Sequence, residues 1–222
     1  PLAIISGITG YLTELAGDES VEQTEILQEL TEALPKIEKQ IERGRDITHR
    51  LLRFARKPEM PIEHADANTV LKEILPFFEK ECRLAGINIH DDYQGGLPKI
   101  AVDETQLQEI LMNLAKNAMD ALTSKGGGNI WLKANEEAGK VVLTVCDDGP
   151  GIDDAIRDRL FDPFASTKSI EQGTGLGLAV CYAIVKRCDG EIRVFSGPDG
   201  GACFKVFLPA HNPCIDGGDR DY

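Results

Sequence analysis

The sequence has no run of about 18 consecutive apolar residues, the length that a membrane-spanning helix requires. It also has no C-x-x-C pair among its 6 cysteines. We therefore expect no direct contact with a membrane and no zinc site of the common cysteine type. Most of the cysteines lie in apolar stretches such as "LTVCDD" and "LAVCYAIV", which predicts buried free thiols in a reducing compartment.

Basic residues are scarce: 24 lysines and arginines stand against 37 aspartates and glutamates, and the formal net charge is −13. Such a chain repels phosphate backbones, so no nucleic acid is expected as a partner. A phosphate group would have to be held locally, by backbone N–H groups, a metal ion or a few lysines.

Apolar residues recur at alternating spacings of three and four in residues 1–57, which is the heptad pattern of packed helices. One series is Ile5, Ile8, Leu12 and Leu15, and the other is Leu27, Leu30, Leu34, Ile37, Ile41, Gly44, Thr48, Leu51 and Ala55. They predict an antiparallel helical hairpin, with Pro35 kinking the second helix or starting a new one. A second copy would complete a four-helix bundle as a homodimer. The alternative is a monomer whose second half covers the exposed seam.

The helical pattern ends at Pro58 and Pro61, and strands alternate with helices after them. The strands are predicted at "INIHDDY", "NIWLKANEE", "KVVLTVCDDG", "EIRVFSG" and "GACFKVFLP". A long helix between the first two should begin after the cap Asp103 and stop at Gly126. The predicted fold class is α+β: a dimerisation hairpin at 1–57, a linker at 58–64, an α/β sandwich at 65–210 and a loose tail at 211–222.

Two short stretches of the second half carry polar side chains suited to a nucleotide. In "NLAKNAMDA", a helical spacing puts Asn113, Asn117 and Asp120 on one face. Amide oxygens there suit a Mg²⁺ that also holds triphosphate oxygens, although a plain polar helix face explains the same pattern. In "DDGPGID", Asp147 ends a strand and could accept a hydrogen bond from an exocyclic amine such as that of adenine. The alternative there is an ordinary glycine turn.

Two further stretches are suited to phosphate. In "FDPFASTKS", the phenylalanines would anchor a loop while Ser166, Thr167 and Lys168 offer donors and one positive charge. In "GTGLGLAV", a glycine-rich loop runs into a helix, whose free N–H groups form an anion site. The loop lacks the order of a G-x-G-x-x-G dinucleotide fingerprint. The long polar segment before this loop is predicted to be a mobile lid.

Together, in this order, the four stretches resemble the ATP-binding domain of sensor histidine kinases, which belongs to the GHKL superfamily with its Bergerat-type sandwich. The resemblance extends forwards, because "RDITHRLLRFAR" is similar to the end of the family's second dimerisation helix. It implies ATP and Mg²⁺ as cofactors, with Asn117 as the residue that coordinates the metal. The residues it places around the nucleotide are Asn113, Lys116, Asn117, Asp120, Asp147, Gly149, Gly151, Ile152, Phe161, Thr167, Lys168, Gly173, Thr174, Gly175, Leu176, Gly177 and Leu178.

The resemblance also implies individual roles. Asp147 would bind the adenine amine, in a pocket shaped by Gly149 and Gly151, while Lys116 would be free to reach a phosphate. Asn113 stands where chaperone-type relatives carry a water-activating glutamate, which favours phosphoryl transfer over hydrolysis. Cys203 stands where relatives often place a hydroxyl near adenine.

The opening "PLAIISG" resembles the continuation of the family's phosphoacceptor box, His-Glu-x-x-Asn-Pro-Leu, with Pro1 and Leu2 as its last positions. The acceptor histidine is then expected five residues before Pro1, and no catalytic residue is assigned within the sequence. The 4 histidines present are poor substitutes because none follows the box pattern.

The resemblance implies the cytoplasmic catalytic core of a two-component sensor kinase, acting as a homodimer on a response-regulator receiver domain. The γ-phosphoryl would pass from ATP to a histidine and then to an aspartate. Three alternatives stay open: a chaperone- or repair-type ATPase, a protein-serine kinase of the same superfamily, and a dimerising nucleotide-sensing module without catalysis.

Overall fold

The computed structural model describes residues 1–18, 21–55, 64–165 and 175–211. The chain divides into two compact units: Pro1–Pro58, which we name the helical unit, and Glu59–Tyr222, which we name the sheet unit. None of the helices in the described ranges combines the length and the apolar character that crossing a membrane would require.

The helical unit contains helix α1, Leu2–Gly17, and helix α2, Gln23–Ala55. The hairpin is antiparallel, because the side chain of Pro1 lies beside Gly44. Helix α2 runs without a break through Pro35, so the expectation that a new helix could start there is wrong. The apolar residues Ala33 and Ile37 continue the packed side of α2 past the proline, which offsets the one lost backbone hydrogen bond.

The heptad series of α2 separates into two rows. Leu30 and Ile37 are half-buried and Ala33 is buried, so this row faces α1. The other row is Leu27, Leu34 and Ile41, whose exposed fractions are 59%, 57% and 57%. We name these three residues, spaced by seven, the exposed stripe.

The sheet unit is built on five strands: β1 at Ile87–Tyr93, β2 at Gly128–Glu137, β3 at Lys140–Asp147, β4 at Glu191–Ser196 and β5 at Ala202–Pro209. Their order in the sheet is β1-β2-β3-β5-β4. Only the β1–β2 pair is parallel among the named strands. The predicted strand segments and the closing β4–β5 pair are confirmed.

The described residues of the sheet unit form four α-helices: α3 at Ala67–Leu84, α4 at Glu104–Lys125, the short α5 at Asp154–Arg157 and α6 at Gly177–Arg187. As predicted, the Asp103 carboxylate caps α4 by accepting from Gln106 N at 3.2 Å, and Gly126 ends it in a left-handed conformation. Apolar residues of α3, α4 and α6 form one core with alternate residues of the strands. The predicted α/β sandwich after a helical hairpin is therefore confirmed.

The prediction of free thiols is wrong for two cysteines. Cys146 on β3 and Cys203 on β5 face each other in the antiparallel register, with Cα atoms 4.0 Å apart, and form a disulfide. The sequence separation of 57 residues hid a pairing that only the strand register creates. Cys82 and Cys181 are buried free thiols and Cys188 is a half-buried one, whereas Cys214 lies outside the described residues.

Candidate functional site

One face of helix α4 joins two of the motifs that the sequence singled out. The side-chain oxygen of Asn113 lies against Gly177, at the start of α6, so closely that a β-carbon there would be 3.0 Å from it. Two turns later, Ala121 lies beside Gly149 in the turn after β3. Asn117 stands between these contacts, about 6 Å along the helix from each. The turn after β3 and the glycine-rich loop thus flank the same half-buried asparagine.

The carboxylate of Asp147 lies at the end of β3 and is buried, with an exposed fraction of 4%. Its Oδ1 accepts from Gly149 N at 2.9 Å and from Ala202 N at 3.2 Å. Its Oδ2 accepts no hydrogen bond from any of the described residues. Burial raises the pKa of Asp147 above the ordinary value of 3.8, while the two backbone donors partly offset this effect. One carboxylate oxygen is therefore fixed by the fold and the other is available to a ligand.

Two glycines allow the turn after Asp147 to come close to its neighbours. A β-carbon on Gly149 would lie 2.7 Å from Asp147 Oδ1. Gly151 has a φ of +78°, and a β-carbon there would lie 2.4 Å from the carbonyl oxygen of Gly200. Larger residues would disturb the carboxylate at the first position and the approach of the β4–β5 connection at the second.

Phe164, within the predicted lid, is hydrogen-bonded to the glycine-rich loop that follows the lid. Phe164 N donates to Gly175 O at 2.9 Å. Phe161 is half-buried against the core and stacks on Tyr182 of α6, with ring centroids 5.4 Å apart. Residues 166–174, which include the predicted site residues Thr167, Lys168, Gly173 and Thr174, lie outside the described residues.

The remaining predicted site residues take ordinary positions around this centre. Lys116 is exposed and Asp120 is half-buried on α4, while Leu176 is buried before α6. Ile152 and Leu178 are partly buried against the core. These placements keep the polar residues of α4 at the surface of the core and the apolar ones inside it.

The donor set suits a magnesium ion that takes most of its ligands from a nucleotide. Among the described residues, no group of three or more histidine, cysteine or acidic side chains could hold a metal ion. Mg²⁺ usually keeps several waters and uses one or two protein oxygens together with substrate phosphates. The amide of Asn117 makes no hydrogen bond within the described ranges, so its oxygen could serve as such a ligand.

Sequence reasoning did not identify the residues that fix Asp147 and Asp148 in place. Ala202 supplies a backbone donor to Asp147, and Asp148 is buried and bound by Asn129 and Lys125. Cys203, which stands where relatives often place a hydroxyl near adenine, is bonded to Cys146 and therefore has no thiol hydrogen to donate. Asp148 was visible in "DDGPGID", but its partners are distant in the sequence.

Residues 102–212 match the family model described as "Histidine kinase-, DNA gyrase B-, and HSP90-like ATPase". The chain belongs to this ATPase family. The matched region contains all four motifs and the whole arrangement around Asp147 and Asn117. The resemblance to the ATP-binding domain of histidine kinases is thereby confirmed, and members of an ATPase family bind ATP.

Several proteins similar to this chain are sensor kinases. Sporulation kinase A of Bacillus subtilis (strain 168) is 33% identical over 164 residues, covering 73% of this chain and 26% of the relative. Sensor protein DctB for C4-dicarboxylate transport, of Rhizobium meliloti (strain 1021), is 36% identical over 173 residues, 76% of this chain and 27% of the relative. Sensor histidine kinase ZraS of Escherichia coli (strain K12) is 29% identical over 213 residues, covering 95% of this chain and 43% of the relative. The chain spans less than half the length of each.

Solved histidine kinases share the fold. Full-length ShkA in complex with AMPPNP has a TM-score of 0.67 at 26% identity, covering 94% of this chain and 44% of that one. The catalytic domain of ThkA has a TM-score of 0.61 at 28% identity, covering 68% of this chain and 97% of that one. ThkA in complex with response regulator protein TrrA has a TM-score of 0.69 at 22% identity, covering 94% and 58%, which supports the fold alone.

Proposed function

We propose that this chain is the catalytic core of a two-component sensor histidine kinase, binding ATP with Mg²⁺ and transferring the γ-phosphoryl to a histidine. The observation that carries the proposal is the Asp147 carboxylate, whose Oδ1 is held by two backbone donors while Oδ2 has no partner among the described residues. A buried acceptor of this kind fits the exocyclic amine of adenine. The complex of ShkA with AMPPNP supports nucleotide binding in a relative of the same fold.

The chain's own residues would divide the work between the base and the phosphates. Asp147 Oδ2 accepts from the adenine amine, and Gly149 lets the base approach the turn. The side-chain oxygen of Asn117 would hold the metal, which would supply positive charge to neutralise the phosphates. Lys116 reaches a phosphate from the exposed side of α4. We propose that Thr167, Lys168, Gly173 and Thr174 cover the triphosphate.

Transfer is proposed over hydrolysis because Asn113 cannot take a proton from water. Its side chain is a neutral amide, and its Nδ2 donates to the carbonyl oxygen of Glu109 at 2.9 Å. In the transfer, an imidazole nitrogen bonds to the γ-phosphorus, the bond to the bridging oxygen breaks, and ADP leaves with the electron pair. The imidazole proton passes to solvent. Positioning and charge neutralisation carry such a step.

The acceptor that we propose is the histidine of the family's phosphoacceptor box, which the resemblance places before Pro1. The histidines of the sheet unit have other surroundings. His90 Nε2 lies 2.9 Å from Asn129 Oδ1, and the rings of His64 and His211 are 3.5 Å apart. The side chain of His49 lies outside the described residues. From the histidine, the phosphoryl group would pass to an aspartate of a response regulator.

The exposed stripe of α2 is the proposed homodimer interface. Leu27, Leu34 and Ile41 are more than half exposed at the heptad spacing that coiled-coil helices bury. A second hairpin would cover them and complete a four-helix bundle. Because the reaction draws on ATP, we propose that these units lie in the cytoplasm.

The test uses a chain extended before Pro1 to include the phosphoacceptor box, incubated with γ-labelled ATP and Mg²⁺. We expect label that is stable in base and lost in acid, as a phosphohistidine is. Asn117→Ala should abolish the label, whereas Asn135→Ala on β2, bonded to Glu137 away from the site, should leave it unchanged. ATP binding without any label would contradict the transfer and support the nucleotide-sensing module instead.

A further inference from the structure

Asp148, directly after the proposed adenine-binding residue, is buried and held by a single partner on the neighbouring strand. Its Oδ1 accepts from Asn129 N at 2.8 Å, and its Oδ2 accepts from Asn129 Nδ2 at 2.7 Å. Asp148 N in turn donates to Asn129 O at 3.3 Å. Since Ile130 pairs with Asp147 in the register of β2 and β3, these bonds add one more pair to the ladder. We name the Asn129–Asp148 pair the clamp.

Two further elements hold the clamp in place. Lys125, in the last turn of α4, donates from Nζ to the carbonyl oxygen of Asp148. On the other side, His90 Nε2 of β1 lies 2.9 Å from Asn129 Oδ1. Because Asn129 Nδ2 already donates to Asp148, Oδ1 is the acceptor, and His90 Nε2 must carry the hydrogen. Helix α4 and strand β1 thus both support the clamp, through Lys125 at Asp148 and His90 at Asn129.

Gly128 leaves the space that the Asp148 carboxylate occupies. A β-carbon on Gly128 would lie 2.3 Å from Asp148 Oδ1, so only glycine fits beside it. With both oxygens bound and the carbonyl tied to α4, the backbone at 148 is fixed on both sides. Asp147 Oδ1 is fixed separately by Gly149 and Ala202. Together, these constraints set the direction of the other Asp147 carboxylate oxygen, Oδ2.

We propose that Asn129 is a positioning residue for adenine recognition: by holding both carboxylate oxygens of Asp148, it fixes the turn that aims Asp147 Oδ2 at the adenine amine. This inference rests on the proposed binding of adenine by Asp147. Removing the Asn129 side chain leaves a buried carboxylate oxygen without its donor, and the turn would rearrange to rehydrate it. We therefore expect Asn129→Ala to lose selectivity for the adenine amine while the protein still folds.

The experiment measures the binding of ATP and of ITP, which carries an oxygen in place of the amine, to the whole chain by calorimetry with Mg²⁺. We expect Asn129→Ala to weaken ATP binding about tenfold while ITP binding changes less than twofold. The control Asn135→Ala on the same strand should change neither. A role limited to stability would lower the melting temperature but leave the ATP-to-ITP affinity ratio unchanged.

A double variant tests whether the hydrogen bonds of the clamp, rather than an asparagine at position 129 as such, position the turn. Asn129→Asp/Asp148→Asn exchanges donor and acceptor, so every hydrogen bond of the clamp and the one from His90 can form again. We expect it to restore the ATP-to-ITP ratio, whereas Asn129→Asp alone, which sets two carboxylates together, should lower that ratio more than Asn129→Ala. If Asn129→Ala fails to fold, Lys125→Met tests the same turn from α4 and should lower the ratio about threefold.

The outcomes distinguish this inference from the proposed function. An unchanged ratio in Asn129→Ala, or no recovery in the double variant, would overturn the positioning role while ATP binding by the unsubstituted chain stands. If the unsubstituted chain binds ATP and ITP equally, adenine recognition by Asp147 fails, and the inference fails with it.

Discussion

The helical unit and the sheet unit differ in how completely they bury their apolar residues. Among the described residues of the helical unit, Ala33 is the only buried apolar side chain, and α1 buries none. In the sheet unit, α3, α4, α6 and alternate strand residues close over one continuous core. The sheet unit therefore buries its apolar residues within one chain, whereas the helical unit leaves the exposed stripe uncovered, as the proposed dimer requires.

This difference separates two properties that the whole protein would combine. In the proposed function, nucleotide binding depends on the sheet unit, where Asp147 and Asn117 are set by a closed core and a hydrogen-bonded turn. The proposed assembly depends on the helical unit, where the apolar side chains of the exposed stripe lack cover. Substitutions in one unit should leave the property of the other nearly unchanged, because distant sites usually contribute independently.

The largest expected effect comes from changing one atom in the sheet unit. Asp147→Asn keeps an acceptor for Gly149 and Ala202 but turns the free Oδ2 into a donor that opposes the adenine amine. We expect ATP affinity to fall about 1,000-fold, measured by calorimetry, since a site built around one hydrogen bond rejects a mismatched partner strongly. The control Asp92→Asn, on exposed β1, should bind ATP normally. Normal ATP binding by Asp147→Asn would remove adenine recognition from this residue.

Matched leucines test the contrast in burial directly. Leu71 on α3 is 1% exposed and Leu34 on α2 is 57% exposed. Leu71→Ala should lower the free energy of unfolding of the sheet unit by about 3 kcal/mol, because it leaves a cavity in a closed core. Leu34→Ala should cost the monomer less than about 0.5 kcal/mol. Urea unfolding at a concentration where the protein is monomeric measures both, and equal costs would show that the stripe is already covered within one chain.

Assembly is tested by charging the exposed stripe. Leu34→Glu would place like charges near the symmetry axis of the proposed bundle, and we expect dimer affinity to fall about 100-fold. Sedimentation velocity measures the change, with Glu38→Gln on the exposed side of α2 as the control. ATP affinity should stay as in the unsubstituted chain. A dimer that survives Leu34→Glu would place the interface elsewhere.

The sequence alone predicted the elements well, because their signals are local. The strand "INIHDDY" coincides with β1, and both ends of α4 follow from Asp103 and Gly126. The heptad spacing also identified α2, although it did not show that Pro35 would be carried inside one continuous helix. Periodicity and capping act within a few residues, so a linear sequence contains them in full.

The supports of the candidate site could not be predicted in the same way. Asn129 is 19 residues from Asp148, and Ala202 is 55 residues from Asp147. These contacts exist only because β2 and β5 flank β3 in the sheet. The same cause hid the disulfide between Cys146 and Cys203, which face each other across β3 and β5. Register, rather than composition, decides such pairs.

Removal of the metal should have a moderate effect, and one that depends on Asn117. We expect EDTA to weaken ATP binding by the unsubstituted chain about tenfold, because the charge of the phosphates is then uncompensated. Asn117→Ala should bind ATP at that weaker level with or without Mg²⁺. Calorimetry in both buffers measures the difference, with Asn135→Ala as the control. If Asn117→Ala still responds fully to Mg²⁺, another group holds the ion.

The smallest effect is the pH dependence that the clamp adds to the stability of the sheet unit. Burial alone would raise the pKa of Asp148, but the hydrogen bonds from Asn129 and the charge of Lys125 outweigh it and hold the pKa below the ordinary 3.8. A carboxylate whose pKa is lowered by folding stabilises the protein above its unfolded pKa, and this contribution is lost as the pH falls through the folded pKa. The stability difference between the unsubstituted chain and Asp148→Asn should therefore be constant near neutrality. It should shrink only below the ordinary aspartate range, as urea unfolding at a series of pH values would measure. A difference that already shrinks between pH values of about 6 and 5 would mean that Asp148 is not ionised within the clamp.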